Sequence, residues 1–273
     1  MILAEAGPGR GTLMADALRA VRAVAPGFAA ALRLHLLETS PRLRGLQAAR
    51  LPGATWHAGI EDLPAGPLLL LANEFLDALP IRQFVRRGAN WVERHVEDGS
   101  FVEIACPAPT REVPDGGVPD GGVVERCEPA LSFAAWLGRR LAQAAGAALL
   151  LDYGPEASAP GDSLQALARG RPADPLAEPG GADLTAHVDF QAIAEAARAA
   201  GAAVQGPLPQ GVFLTRLGLY RRTDRLARAQ PPQRAASLIA AAQRLAEPDR
   251  MGHLFKAMAL CSPALPSLPG FGA

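Results

Sequence analysis

Ala4-Glu5-Ala6-Gly7-Pro8-Gly9-Arg10-Gly11 stands almost at the amino terminus of a 273-residue chain. A short apolar segment (Ile2, Leu3, Ala4) ends in Glu5, the chain passes through small residues, and a helical pattern starts at Thr12. Strand, turn and helix follow from that order. Glycine reaches positive φ at no steric penalty and lets a backbone approach a ligand closely. The helix behind it presents unpaired N–H groups in its first turn. The octet therefore opens an α/β fold with a ligand site in its first turn.

Spacing narrows the ligand. A dinucleotide fingerprint is G-x-G-x-x-G, whereas Gly7, Gly9 and Gly11 form G-x-G-x-G. That disfavours a nicotinamide oxidoreductase. A phosphate has no use for a carboxylate just ahead of the turn, but a cation does. Glu5 thus points to a nucleoside carrying an ammonium group, of which S-adenosylmethionine is the common one. The plainer reading is a tight turn that serves packing alone.

The chain carries no formal net charge, which argues against a strong electrostatic drive toward nucleic acid or an anionic membrane. Lys256 is the only lysine among many arginines, and alanine is abundant, a pattern of GC-rich coding. Cys106, Cys127 and Cys261 lie far apart, which predicts a reducing compartment and no metal centre. No apolar run has the length of a membrane span, and the amino terminus lacks a signal-peptide pattern. The expectation is a soluble, cytoplasmic chain.

Outward from the octet, strand and helix patterns alternate. Thr12–Val24 reads as a helix, Leu32–Leu37 as a strand, and Ser40-Pro41 opens a helix to about Arg50. Short strands follow at 54–57 and 68–72, the latter an unbroken apolar run of the kind buried on both faces. The pattern then changes. Segments 81–85, 91–96 and 101–105 read as an antiparallel ribbon, and 113–122 repeats Val-Pro-Asp-Gly-Gly in a turn-rich tract. Helix resumes at 129–145, strand at 147–151, helix at 185–200 and 231–246, and strand at 203–205 and 254–260. The prediction is one domain over 1–273: a doubly wound seven-stranded Rossmann-like sheet with helical additions. It carries an insertion over 81–128 and a long substrate-side loop over 155–185, rich in Pro, Gly and Ala.

Ligands of open α/β sheets sit beyond the carboxyl ends of the strands. Glu38 ends the second strand, where an acid accepts from ribose hydroxyls; the alternative is a solvent-exposed glutamate. Asn73, Glu74 and Asp77 follow the fourth strand and are expected in the same cleft as Glu5 and Glu38. A carboxamide beside two carboxylates orients a basic acceptor and stabilises positive charge; the three also suit a helix cap. Asp152 ends the fifth strand, and Asp183 closes the long loop. Both are candidate substrate contacts, with Asp183 or Thr185 equally suited to cap the next helix. The five histidines form no metal-ligand pair, and His57 reads as an ordinary loop residue.

Four segments together resemble one family, the MidA-like S-adenosylmethionine-dependent methyltransferases, which include a mitochondrial complex I assembly methyltransferase. They are Glu5 to Met14, Glu38-Thr39-Ser40-Pro41 with Leu43 and Gln47, Ala72 to Pro80 (Ala-Asn-Glu-Phe-Leu-Asp-Ala-Leu-Pro), and Gly181 to Phe190 (Gly-Ala-Asp-Leu-Thr-Ala-His-Val-Asp-Phe). Gln205 to Gly211 and Met251 to Lys256 extend the likeness over nearly the whole chain. The resemblance implies a seven-stranded class I methyltransferase sheet and S-adenosylmethionine held at Glu5, Gly7, Gly9 and Glu38. The residues' own reading adds Gly11 and Asn73 to the expected cofactor site and makes Asn73, Glu74 and Asp77 the expected catalytic residues. For the mitochondrial member the resemblance implies symmetric dimethylation of an arginine on a complex I subunit, so a protein arginine is the expected acceptor. A cofactor-binding assembly factor without chemistry is the rival expectation. Family members carry a helical stretch ahead of the glycine motif, and this sequence starts at the motif, so either the start is miscalled or part of the lid is absent. Gly170 stands where the family often has a histidine.

Overall fold

The computed structural model describes residues 1–109 and 117–272. Five parallel strands carry the core: β1 (Ile2–Ala6), β2 (Arg33–Leu37), β3 (Thr55–His57), β4 (Leu68–Asn73) and, after an insertion that contributes β5 to β8, β9 (Gly146–Tyr153). After three short loop strands, β10 to β12, come β13 (Ala203–Pro209) and β14 (Phe255–Cys261). The main sheet runs β13-β14-β9-β4-β1-β2-β3, with β14 antiparallel to both of its neighbours. The seven-stranded doubly wound sheet expected from the sequence is therefore present.

Helices cover both faces, as the apolar runs require. On one face α1 (Thr12–Val24), continued by the short α2 (Pro26–Ala30), and α3 (Pro41–Arg50) bury Met14, Leu18, Leu36 and Leu51. Ser40 caps α3 by accepting from the Leu43 N–H at 3.4 Å, and Pro41 fills its first turn. On the other face α4 (Glu128–Gln143) and α5 (Phe190–Ala199) press Phe133, Leu137, Leu141, Phe190 and Ile193 onto Leu68, Leu70 and Leu150. Leu68 and Leu70 of β4 point into this larger core and Leu71 packs against the smaller one, so its run of four leucines has no polar member.

The insertion is a four-stranded antiparallel sheet, not a three-stranded ribbon. To β5 (Arg82–Arg87), β6 (Asn90–Glu97) and β7 (Ser100–Cys106) it adds β8 (Val123–Arg126), which pairs with β5. Of the Val-Pro-Asp-Gly-Gly repeat, residues 113–116 lie outside the described residues. The long loop carries a small sheet of its own: β10 (Gln165–Ala168) between β11 (Arg171–Ala173) and β12 (Asp183–Thr185). Thr185 therefore ends a strand, and α5 starts five residues later than the sequence suggested. Asp189 is its cap, accepting from the Ala192 N–H at 2.9 Å. Between β13 and β14 lie α6 (Gln210–Arg216), α7 (Leu219–Arg228) and α8 (Pro232–Ala246), of which only α8 was legible.

Candidate cofactor and acceptor site

The glycine turn is built as its residue types demand. Gly7, Gly9 and Gly11 all have positive φ (62°, 53° and 70°). The Gly7 N–H donates to the Leu37 carbonyl at 3.1 Å, tying the turn to the end of β2, and the Gly11 N–H closes it onto the Pro8 carbonyl at 2.7 Å. A Cβ on Gly7 would lie 2.9 Å from Cδ2 of Phe75, and one on Gly11 would lie 3.0 Å from Leu51. A side chain at either position is strained by the positive φ and must also push Phe75 or Leu51 aside.

Glu5 is 3% exposed, and its Oε2 has no hydrogen-bond partner. Burial pushes its pKa from 4.5 up to about 7. An ionised carboxylate held there without a partner is costly, and a ligand cation relieves the cost. Glu38, also buried, accepts from the Ser40 N–H at Oε1 (2.8 Å) and from Gln47 Nε2 at Oε2 (3.1 Å). Each oxygen keeps further acceptor capacity. Gln47 is the residue that the sequence left without a role. Fully buried, its Nε2 also donates to the Gly9 carbonyl at 2.8 Å, and its Oε1 accepts from Trp56 Nε1 at 2.8 Å. One amide thus joins the glycine turn, the carboxylate of β2 and β3.

A cleft of about 560 Å³ opens over these strand ends, lined by Gly7, Glu38, Ile60, Phe75, Phe133 and Trp136 among others. Glu5 is not part of that lining. His57 lies on β3 rather than in a loop, its Nε2 2.9 Å from Nδ1 of His35 with the rings stacked. The apolar wall from α4 was not foreseen, because nothing local in Phe133 or Trp136 distinguishes a lining residue from a core residue.

Residues 74–80 form a turn rather than a helix, so Asn73, Glu74 and Asp77 do not act as a helix cap. Glu74 is exposed and sits at φ 48°, a strained setting for a residue with a Cβ. Asn73 Nδ2 donates to its Oε1 at 3.4 Å. Asp77 is 6% exposed, its Oδ1 without a partner, and burial with the neighbouring Glu74 charge raises its pKa to about 6. Beneath the turn lies Asp152, 1% exposed. Its Oδ2 accepts from the N–H groups of Phe75, Leu76 and Asp77 at 3.1, 2.9 and 3.3 Å, and its Oδ1 from that of Tyr153 at 3.0 Å. Burial and the Asp77 charge raise its pKa to about 7. Asp152 was expected to touch substrate; its carboxylate is instead filled by backbone donors and holds the turn. Asp183 is exposed on β12, away from the α5 cap it was offered for.

The parts fit a nucleoside with a charged amine: an orphaned buried carboxylate at the end of β1, a turn of three glycines at positive φ, and a buried carboxylate just past β2. A doubly wound sheet bearing these features at the carboxyl ends of its first two strands is the class I methyltransferase architecture. The family described as "Putative S-adenosyl-L-methionine-dependent methyltransferase" matches residues 1–208, and the chain belongs to it. Protein arginine methyltransferase NDUFAF7, mitochondrial, of Mus musculus is 32% identical over 94% of this chain and 66% of its own length. The NDUFAF7 homolog of Drosophila melanogaster is 32% identical over 94% of this chain and 67% of its own. The chain thus spans about two thirds of these relatives. A Burkholderia thailandensis protein, crystallised with S-adenosyl-homocysteine, superposes with a TM-score of 0.80 at 28% identity, over 99% of this chain and 74% of that one.

Proposed function

We propose that this chain transfers a methyl group from S-adenosylmethionine to an arginine of a protein substrate. The observation that carries the reading is the buried, unpartnered carboxylate of Glu5 directly ahead of three glycines of positive φ. Relatives named as protein arginine methyltransferases support the choice of acceptor; a respiratory complex I subunit, which the resemblance in the sequence implies, is one candidate.

In this reading Glu5 receives the amine of the methionyl end, the turn Gly7–Gly11 admits it closely, Glu38 takes the ribose hydroxyls, and Asn73 borders the methyl-donor side. When bound, the nucleoside supplies an electrophilic methyl on a sulfonium. Catalysis then rests on positioning and electrostatics. Glu74 and Asp77 present two carboxylates to a planar guanidinium, a pairing that fixes its orientation. With a guanidinium pKa above about 12, the proton leaves the attacking nitrogen during or after transfer, and the unpartnered Oδ1 of Asp77 receives it. Asp152 keeps that carboxylate in place by holding the backbone of the turn. Tyr153, whose hydroxyl donates to Thr185 Oγ1 at 2.6 Å and accepts from Gln165 Nε2 at 3.1 Å, borders the same side.

The test pairs calorimetry of S-adenosylmethionine binding with detection of methylarginine by mass spectrometry, in the parent and in Glu74→Gln. The expected result is unchanged cofactor affinity with turnover abolished. Cofactor binding without methylarginine on any protein of a lysate from a strain lacking the chain overturns the transferase reading in favour of a binding factor. A Glu74→Gln protein of normal rate overturns the role of Glu74.

A further inference from the structure

A cavity of about 500 Å³ lies by the amino ends of β2 and β3, at the opposite end of these strands from the cofactor cleft. Its apolar lining includes Leu18, Leu32, Leu34 and Leu51, and its charges are Arg22 at the end of α1, Arg33 at the start of β2 and Arg50 at the end of α3. No carboxylate among the described residues lines it. The side chains of Arg22 and Arg33 have no hydrogen bond or ion pair among the described residues, and Arg50 donates only to the Arg10 carbonyl, at 2.6 Å. In the insertion, by contrast, Arg82, Arg87 and Arg94 each pair with a carboxylate. All three arginines of the cavity are exposed, so a solute reaches them. His35, buried on the same wall, supplies no counter-charge: burial first, then the His57 and Arg33 charges, hold its pKa below the ordinary value.

Three guanidiniums around one cavity without a counter-ion favour an anion as occupant. Each guanidinium is a planar fork that fits the oxygens of a carboxylate or a phosphate. Charge separates the two. One carboxylate brings a single negative charge, whereas a phosphoryl group carries about −1.5 to −2 near neutral pH. Two phosphoryl groups, at roughly −3 on that scale, match three arginines in a compact head. Volume sets the remainder: the cavity falls in the range of roughly 300–1,000 Å³ that holds whole small molecules, and bare pyrophosphate leaves its leucines without a partner. We propose that this cavity binds a small organic diphosphate, its phosphoryl groups on Arg22, Arg33 and Arg50 and its organic part against Leu18, Leu32, Leu34 and Leu51. A nucleoside diphosphate and a prenyl diphosphate share that chemistry. The site stands apart from the cofactor and acceptor residues, and its occupancy does not depend on methyl transfer.

The experiment is calorimetry on the full chain saturated with S-adenosyl-homocysteine, which keeps nucleotides out of the cofactor cleft. Uridine diphosphate, geranyl diphosphate, pyrophosphate and citrate are titrated in turn. Expected is binding of at least one of the two organic diphosphates about 10-fold or more tighter than pyrophosphate, the gain that apolar burial supplies; which of the two binds tells nucleotide from prenyl chemistry. Arg22→Gln and Arg33→Gln should each weaken that binding about 10- to 100-fold, the worth of a charge-assisted contact, with S-adenosyl-homocysteine affinity unchanged. Both side chains are exposed and unpartnered, so the variants should fold as the parent does. Arg19→Gln, on the same helix as Arg22 but outside the lining, should bind like the parent. Neither organic diphosphate binding more tightly than pyrophosphate, citrate binding more tightly than both, or an equal loss in Arg19→Gln overturns the proposal. Methyl transfer is not measured, so any of these results leaves the proposed function standing.

Discussion

Replacing Glu5 with Gln keeps the shape of the side chain and removes its charge. The rise in pKa from 4.5 to about 7 means that ionising this carboxyl in the folded chain costs roughly 3 kcal/mol, at about 1.36 kcal/mol per pH unit. Because the folded pKa lies above the unfolded one, the associated stability is full below about pH 4.5 and is lost as the pH rises through about 7. The Gln variant has no such titration. Its stability relative to the parent should therefore increase by up to about 3 kcal/mol between pH 4.5 and pH 8, read by denaturant titration at each pH. An offset of about 1–3 kcal/mol against the variant at every pH comes from burying an unpaired amide. Ligand binding should move the other way. Loss of a charge-assisted contact to the amine weakens S-adenosyl-homocysteine by about 10- to 100-fold. In the parent, binding near pH 6.5 should expel a proton, as the amine favours the ionised carboxylate. Calorimetry in two buffers of different ionisation heat measures that proton, and the variant should release none through this group. A variant that binds the nucleoside as tightly as the parent, with the same proton release, refutes the assignment of Glu5.

Gln47→Ala leaves the Glu38 carboxylate, the Gly9 carbonyl and the Trp56 N–H each short of a buried partner, so a loss of about 2–4 kcal/mol is expected, with weaker nucleoside binding in the same calorimeter. Asp152→Ala strips the acceptor from three consecutive N–H groups; unfolding should become easier by about 3 kcal/mol, and turnover should fall further than cofactor affinity. In the proposed reading Asp77 acts ionised, and its pKa is raised to about 6. kcat/KM in the parent should therefore rise with pH through about 6 and level off, and Asp77→Asn should lose that limb of the profile.

Apolar continuity made the central strands legible: Leu68 to Ala72 has nowhere to go but a two-sided core. The glycine turn was legible for a similar reason, since its residues have few other uses. Strands β10 to β12 were not, because a loop rich in Pro and Gly pairs locally with no alternation to betray it. Thr185 and Asp189 are equally good caps by type, and only the pairing of β12 with β10 decides between them. Glu5, Glu38, Asn73, Glu74 and Asp77 could be nominated from the strand ends they follow. Gln47 and Asp152 could not be given their positions, since each acts through contacts far along the chain: 38 residues from Gln47 to Gly9, and 75 to 77 from Asp152 to its turn.

β14, Phe255 to Cys261, lies between β9 and β13. On the ribosome, β9 leaves the tunnel about a hundred residues before the strand that will flank it, and β13 emerges with no partner at all. Until the last segment is synthesised, the open side of β9 is a bare apolar edge of a five-stranded sheet, open to pairing with a neighbouring nascent chain. A stop codon shortly before position 255 would thus do more than shorten the molecule: it would leave that edge permanently uncapped and Ala203–Pro209 detached from the sheet.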